Sequence, residues 1–222
     1  MRQTESTIPQ EVPLGIHSHR FQFGMLILVN AFVGGMVGLE RTILPLLAEA
    51  EFGIASKTAA VAFIATFGRT KAVLNLLAGG IADRWGRRRV LLLGWLIGLP
   101  VPVILMFADS WMLVLFANVL LGVNQALTWT MTVVMKVDIA RPEERGLALG
   151  LNEFAGYAGV ALVAALTGSL AAEYGLRPEP FYVGFGLVAV GLAISLVLKD
   201  THRIDTAAIQ SSGDRRSLRS VF

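Results

Sequence analysis

Arg69 and Lys71 fall near the middle of a mainly apolar stretch, where an ionic side chain costs roughly 2.5 to 3.5 kcal/mol even on insertion scales. On a helix they point about 160° apart, so at most one of them squarely faces a given cavity. Thr66 shares a face with Arg69, and Asn75 with Lys71. Glu153, in a later apolar stretch, is the predicted partner of one cation, because a buried pair costs less than two lone charges. An internal ion pair and a ligand contact both remain open here. A cation left without a partner would favour an anionic, carboxylate-bearing solute, and Glu40 or Glu153 could then carry an exchangeable proton.

A second set of polar residues is periodic. Asn118, Gln125, Trp129, Thr132 and Lys136 fall within a helical stripe about 60° wide, with Thr128 beside it. Asn30, Gly34 and Arg41 share another face, with Glu40 next to it near the expected outer mouth. Polar side chains inside apolar helices face a bundle interior or a watery cavity, so both stripes are expected to line one. The candidate binding set is Asn30, Glu40, Arg41, Arg69, Lys71, Asn118, Gln125, Trp129 and Glu153.

These residues have to be carried by membrane helices. The chain of 222 residues is 55% apolar and 16% charged, with mean hydropathy +0.64, more apolar than one soluble core of this length accommodates. Its charges collect in short segments and leave stretches near the ~20 residues that cross a ~30 Å hydrocarbon layer. Six spans are predicted at Phe21 to Pro45, Lys57 to Gly80, Val90 to Phe107, Trp111 to Val137, Gly146 to Ala172 and Phe181 to Leu198. The organisation is thus a tail over 1–20, a bundle over 21–198 and a second tail over 199–222. Spans three and six carry almost no polar side chain and are expected to face lipid, with one and four central. The first 20 residues are polar, with Pro9 and Pro13, and do not resemble a cleaved leader.

Lys and Arg in short flanks set orientation. Almost all gather on one side, above all in Gly79 to Arg89, GGIADRWGRRR; Lys57 and Arg177 alone fall on the other. Both termini are therefore expected in the cytoplasm, with the acidic Ala48 to Phe52 segment outside. The pI near 9.6 follows from such topogenic charge beside an anionic leaflet and calls for no nucleic acid. Two stretches recur in the halves. Asn30 with Gly34 matches Asn118 with Gly122 at an offset of 88, and Gly79-x-Ile-Ala-Asp-x-Trp-Gly-x-Arg88 matches Gly168-x-Leu-Ala-Ala-x-Tyr-Gly-x-Arg177 at an offset of 89. Three spans separate the copies, so the second lies inverted, a 3+3 inverted repeat of the kind found in secondary transporters.

Gly79-x-x-x-Asp83-Arg84-x-Gly86-Arg87-Arg88 resembles the signature loop between the second and third helices of the major facilitator superfamily, and Arg145-Gly146 resembles its second cytoplasmic turn. The resemblance covers Phe21 to Leu198, one six-helix half of a fold that usually has twelve helices. It implies an all-α membrane protein with a half bundle of that type, and alternating-access transport of a small solute as a symporter or antiporter. The segment after Lys199 resembles the start of the central linker. Where the family's fourth helix usually carries an Arg, this chain has Asn118, which puts the proton-relay role of that Arg in doubt; the Gly-Pro pair of many drug/proton antiporters is missing from span five.

The loop residues Gly79, Asp83, Arg84, Gly86, Arg87, Arg88, Glu144 and Arg145 are candidates for gating. Asp83 can accept hydrogen bonds from Arg or from a helix N-terminus and so latch one conformation. Gly79 permits close helix approach, Gly86 the tight turn, and Arg87 and Arg88 are expected to pair with Glu143 or Glu144. An isolated half leaves the latch without its usual acceptor, so a second six-helix half or a second copy is the expected partner, within the bilayer of a plasma (inner) membrane.

Enzyme chemistry finds little to build on. The chain has no Cys, which excludes disulfides, thiolate metal sites and cysteine nucleophiles, and its three His lie in the polar tails. No phosphate loop is present, no cofactor or metal is expected, and channel-type re-entrant loops are missing. The competing non-catalytic reading is a transport-inactive remnant or a membrane interaction subunit.

Overall fold

The computed structural model describes residues 14–201, which are helical apart from short connections. The helices are α1 (Arg20–Phe52), α2 (Ser56–Trp85), α3 (Arg87–Gly98), α4 (Pro100–Phe107), α5 (Trp111–Ile139), α6 (Arg145–Tyr174) and α7 (Glu179–Val197), with a 3-10 turn over Pro142–Glu144. α3 and α4 together make the third of six spans long and apolar enough to cross a membrane. Of the expected tails over 1–20 and 199–222, residues 1–13 and 202–222 lie outside the described residues.

The helices extend past most of the expected span ends, into the flanking polar residues. α1 continues through Pro45, and the acidic stretch after it forms its last turns instead of a loop; it stops at Gly53, whose φ of 64° is a left-handed cap. The third span is broken at Leu99 because Pro100 has no backbone N–H to continue the ladder.

Packing follows the inverted repeat. α1 lies most extensively against α6 and α2 against α5, and exchanging the two triplets turns one pair into the other. Small residues permit both approaches. A Cβ on Gly34 or Gly38 would collide with the carbonyl of Gly156 or Val160, and one on Gly159 with that of Ala31, so α1 and α6 touch backbone to backbone. Gly122 of α5 plays the same part against Phe67 and Thr70 of α2.

α1 and α5 are the most enclosed helices, in line with their expected central place. The most open are the second and fifth spans, not the third and sixth: only 6% of the most apolar window of α2 is buried, against 44% for α3 and α4 together and 33% for α7. The exposed surface of α3, α4 and α7 includes Leu96, Val103, Phe185 and Val190, which lipid can cover. The exposed surface of α2 and α6 includes Arg69, Asn75 and Glu153, which lipid covers poorly.

Candidate functional site

The polar stripe of α5 is interior packing over most of its length. Asn118, Gln125, Thr128, Thr132 and Lys136 are fully buried. Gln125 donates to the carbonyl of Val33 at 2.6 Å, tying α5 to α1. Thr128 is satisfied by its own helix, through the carbonyl of Asn124. Asn30 donates to the carbonyl of Asn152 at 2.7 Å and accepts from Thr132 at 2.9 Å, and Lys136 Nζ donates to Asn152 Oδ1 at 2.6 Å. Asn30, Gln125 and Lys136 therefore bind neighbouring helices instead of lining a watery wall. A helical period identifies the inward face but not whether the space it meets is filled. Asn152, the hub, was missed, although a polar residue inside an apolar helix is the same signal that marked the others.

Trp129, at the edge of that stripe, reaches the open face between α2, α5 and α6. Its indole N–H donates to Glu153 Oε1 at 3.2 Å, and its ring lies edge-on to Tyr157 with centroids 6.1 Å apart. Lys71 Nζ sits over the same ring, 4.7 Å from its centroid, and 5.8 Å from that of Phe67. No carboxylate pairs with Lys71 among the described residues; Glu153 is held by Trp129 and by Asn152 Nδ2 at 3.0 Å. The expected Glu153 ion pair with Arg69 or Lys71 is thus not formed. Asn75 accepts from Thr130 at 3.3 Å beside this cluster, and Arg69 is exposed on another face of α2. Lys71, Trp129, Tyr157 and Glu153 place a cation, two aromatic rings and a carboxylate on one surface.

A separate cavity of about 210 Å³, including its open mouth, lies between α1, α2 and α5. Glu40, Arg41, Phe63, Phe67 and Asn118 line it together with aliphatic side chains. Glu40 is 2% exposed, and neither its Oε1 nor Asn118 Oδ1 has a hydrogen-bond partner. Arg41, its chain neighbour, is exposed. Because that volume includes open solvent, the enclosed space is far smaller than sites for organic ligands, which begin at roughly 300 Å³.

At the arginine-rich end, Asp83 pairs with Arg87, whose buried guanidinium also lies 3.5 Å from Asp138 Oδ2. Arg88 donates from its backbone to Asp200 at 3.1 Å and from its side chain to the carbonyl of Leu196. Gly86 turns the chain at φ 91°. Glu144 caps the turn at Arg141 and accepts from the backbone of Ile16 at 3.0 Å, so it is not the partner expected for Arg87 or Arg88. Arg84 and Arg145 are exposed, and a Cβ on Gly79 would meet nothing within 4 Å, so its close approach is not used inside this bundle. The opposite end repeats the scheme: Gly175 turns at φ 104°, and Arg177 pairs with Glu51 and donates to the carbonyl of Ala108 at 2.6 Å. Arg88 thus clamps the last turn of the sixth span, and Arg177 the end of the third.

Comparison with known proteins agrees with this architecture. A protein of Cupriavidus pinatubonensis described as a "probable 4-methylmuconolactone transporter" is 29% identical over 174 residues, which are 71% of this chain and 40% of that protein. The human organic anion transporter TETRAN superposes with a TM-score of 0.68 at 16% identity, over 82% of this chain and 48% of its own. The peptide transporter POT in complex with alafosfalin gives 0.69 at 16% identity, over 90% and 46%. The chain therefore spans less than half the length of these proteins. The family model of the Major Facilitator Superfamily matches residues 26–221. With that match and six helices apolar enough to cross a bilayer, this integral, multi-pass membrane chain belongs to the major facilitator superfamily.

Proposed function

We propose that the chain works as one six-helix half of a secondary active transporter that moves a small organic anion by alternating access. The observation that carries this reading is Lys71, a cation near the middle of a span that rests on an aromatic ring and, among the described residues, forms no ion pair with a carboxylate. A ligand carboxylate can pair with the ammonium while a flat apolar body packs against Trp129 and Tyr157. The name of the Cupriavidus relative and that of the human neighbour agree with such a solute, since 4-methylmuconolactone carries a carboxylate.

The face between α2 and α6 then belongs to the central pathway, and a second six-helix unit completes it, either a further segment of the protein or a second copy. Both termini lie in the cytoplasm of the plasma membrane, by the bias of Lys and Arg. A proton carried by Glu40 supplies the coupling, and Asp83 with Arg87, Arg88 and Asp138 steadies the cytoplasmic end. Uptake of labelled 4-methylmuconolactone into vesicles tests the reading. Lys71→Gln should raise KM at least ten-fold and Lys71→Arg should retain most of the affinity, whereas equal uptake by all three proteins would reject the anion site.

A further inference from the structure

Lys136 is an ammonium with no measurable exposure, enclosed where α1, α5 and α6 meet. A buried charge of this kind is costly unless it is paired and hydrogen-bonded, so a nearby anion favours its ammonium form. No carboxylate lies within ion-pair distance of it among the described residues. What it has is Asn152, whose Oδ1 accepts from Lys136 Nζ at 2.6 Å while its Nδ2 donates to Glu153 Oε1 at 3.0 Å. The amide is polarised in one sense by both neighbours, so cation, amide and anion form one aligned chain. Glu153 therefore has two claims on its charge, Lys136 through Asn152 and Lys71 across Trp129. It is also the carboxylate whose field reaches both ammonium groups.

We infer that Lys136, through the Asn152 bridge, acts as the internal counter-charge of Glu153 and so leaves Lys71 available to an anionic solute. Lys136 is thus a specificity-determining positioning residue that never touches the ligand. The inference rests on the reading of the Lys71 face as an anion site. The local charges agree: Lys71 and Lys136 outnumber Glu153, and the exposed Arg41 and Arg69 add to the positive side, so the surroundings favour an anion. Without Lys136, Glu153 becomes an uncompensated anion beside Lys71 and competes with the solute for it.

A double-mutant cycle tests this, with equilibrium binding of 4-methylmuconolactone to the protein in nanodiscs as one readout and melting temperature as the other. Lys136→Met should weaken binding at least ten-fold, Glu153→Gln should strengthen it by removing the competitor for Lys71, and the double variant should regain at least the original affinity. Loss in Lys136→Met that Glu153→Gln does not restore would mean that Lys136 only supports packing, and overturns the proposal. So does unchanged binding in Lys136→Met, or a ten-fold loss in Glu153→Gln alone. Glu153 is exposed, so its single variant keeps the test open if Lys136→Met does not fold.

Melting needs no ligand. Glu153→Gln should lower the midpoint, and Lys136→Met should recover at least half of that loss in the double variant; additive changes overturn the counter-charge role. Absence of anion binding by the unsubstituted protein, with the melting cycle still non-additive, would reject the anion site and retain the Lys136 to Glu153 coupling.

Discussion

Glu40 Oε1 and Asn118 Oδ1 face the same small cavity, and neither has a donor. Leaving a buried acceptor unpaired costs about 1 to 3 kcal/mol, more when it is charged. A proton on Glu40 removes a buried negative charge and turns one unpaired acceptor into a donor, which is how Glu40 would carry the proposed coupling proton. Arg41, the next residue in the chain, is exposed and lines the same cavity. Glu40→Gln provides an N–H permanently and should abolish the dependence of uptake on an inward proton gradient while preserving solute binding. Measuring binding and gradient-driven uptake in the same vesicles checks this; full proton-driven accumulation by Glu40→Gln would remove Glu40 from coupling.

The paired helices explain how such side chains keep their positions. Between α1 and α6 the backbones touch at Gly34, Gly38, Gly156 and Gly159, which leaves no room for even a methyl group. Gly159→Val should therefore separate the helices and cost about 1 to 3 kcal/mol or more, by the penalty for overpacking. Gly186 on α7 has open space and should tolerate Ala. A denaturant titration in mixed micelles separates the two, and equal stability of both variants contradicts the close-contact account. The spans, the small-residue repeat and the helices at the centre were legible in the residues, because bilayer thickness and helix period act locally. Two kinds of detail were not. Asn30 and Asn118 look equivalent by spacing, yet Asn30 bridges to Asn152 on α6 while Asn118 donates to Val114 of its own helix, since what stands opposite decides an amide's partner. Likewise Arg87 finds Asp138 instead of Glu143 or Glu144, because the last turns of α5 are brought alongside α3 by packing and not by sequence distance.

For the molecule as a whole, the two arginine clamps hold opposite ends of one bundle. Arg88 reaches the carbonyl of Leu196 and Arg177 that of Ala108, so each triplet is tied to the other at both ends and the six spans are suited to move as one body. Alternating access then requires motion against something outside these spans. The open surface of α2 suits that role: it includes Val73, Leu76 and Leu77 along with Asn75, and small residues at Gly79 and Gly80 that meet nothing within this bundle. Lipid would solvate the aliphatic groups equally well, but not the neighbouring Arg69 and Glu153, and this difference argues for a protein cover. Because the chain contains no Cys, single thiols can be placed at will. Leu76→Cys should cross-link in native membranes, through a short bifunctional reagent and a reactive residue on the partner, to a second six-helix unit of the same protein. Val190→Cys, on the lipid-suited surface of α7, should not. Equal labelling of both positions without any cross-link would mean that α2 faces lipid, and a transporter built from these spans would then have no second body to move against.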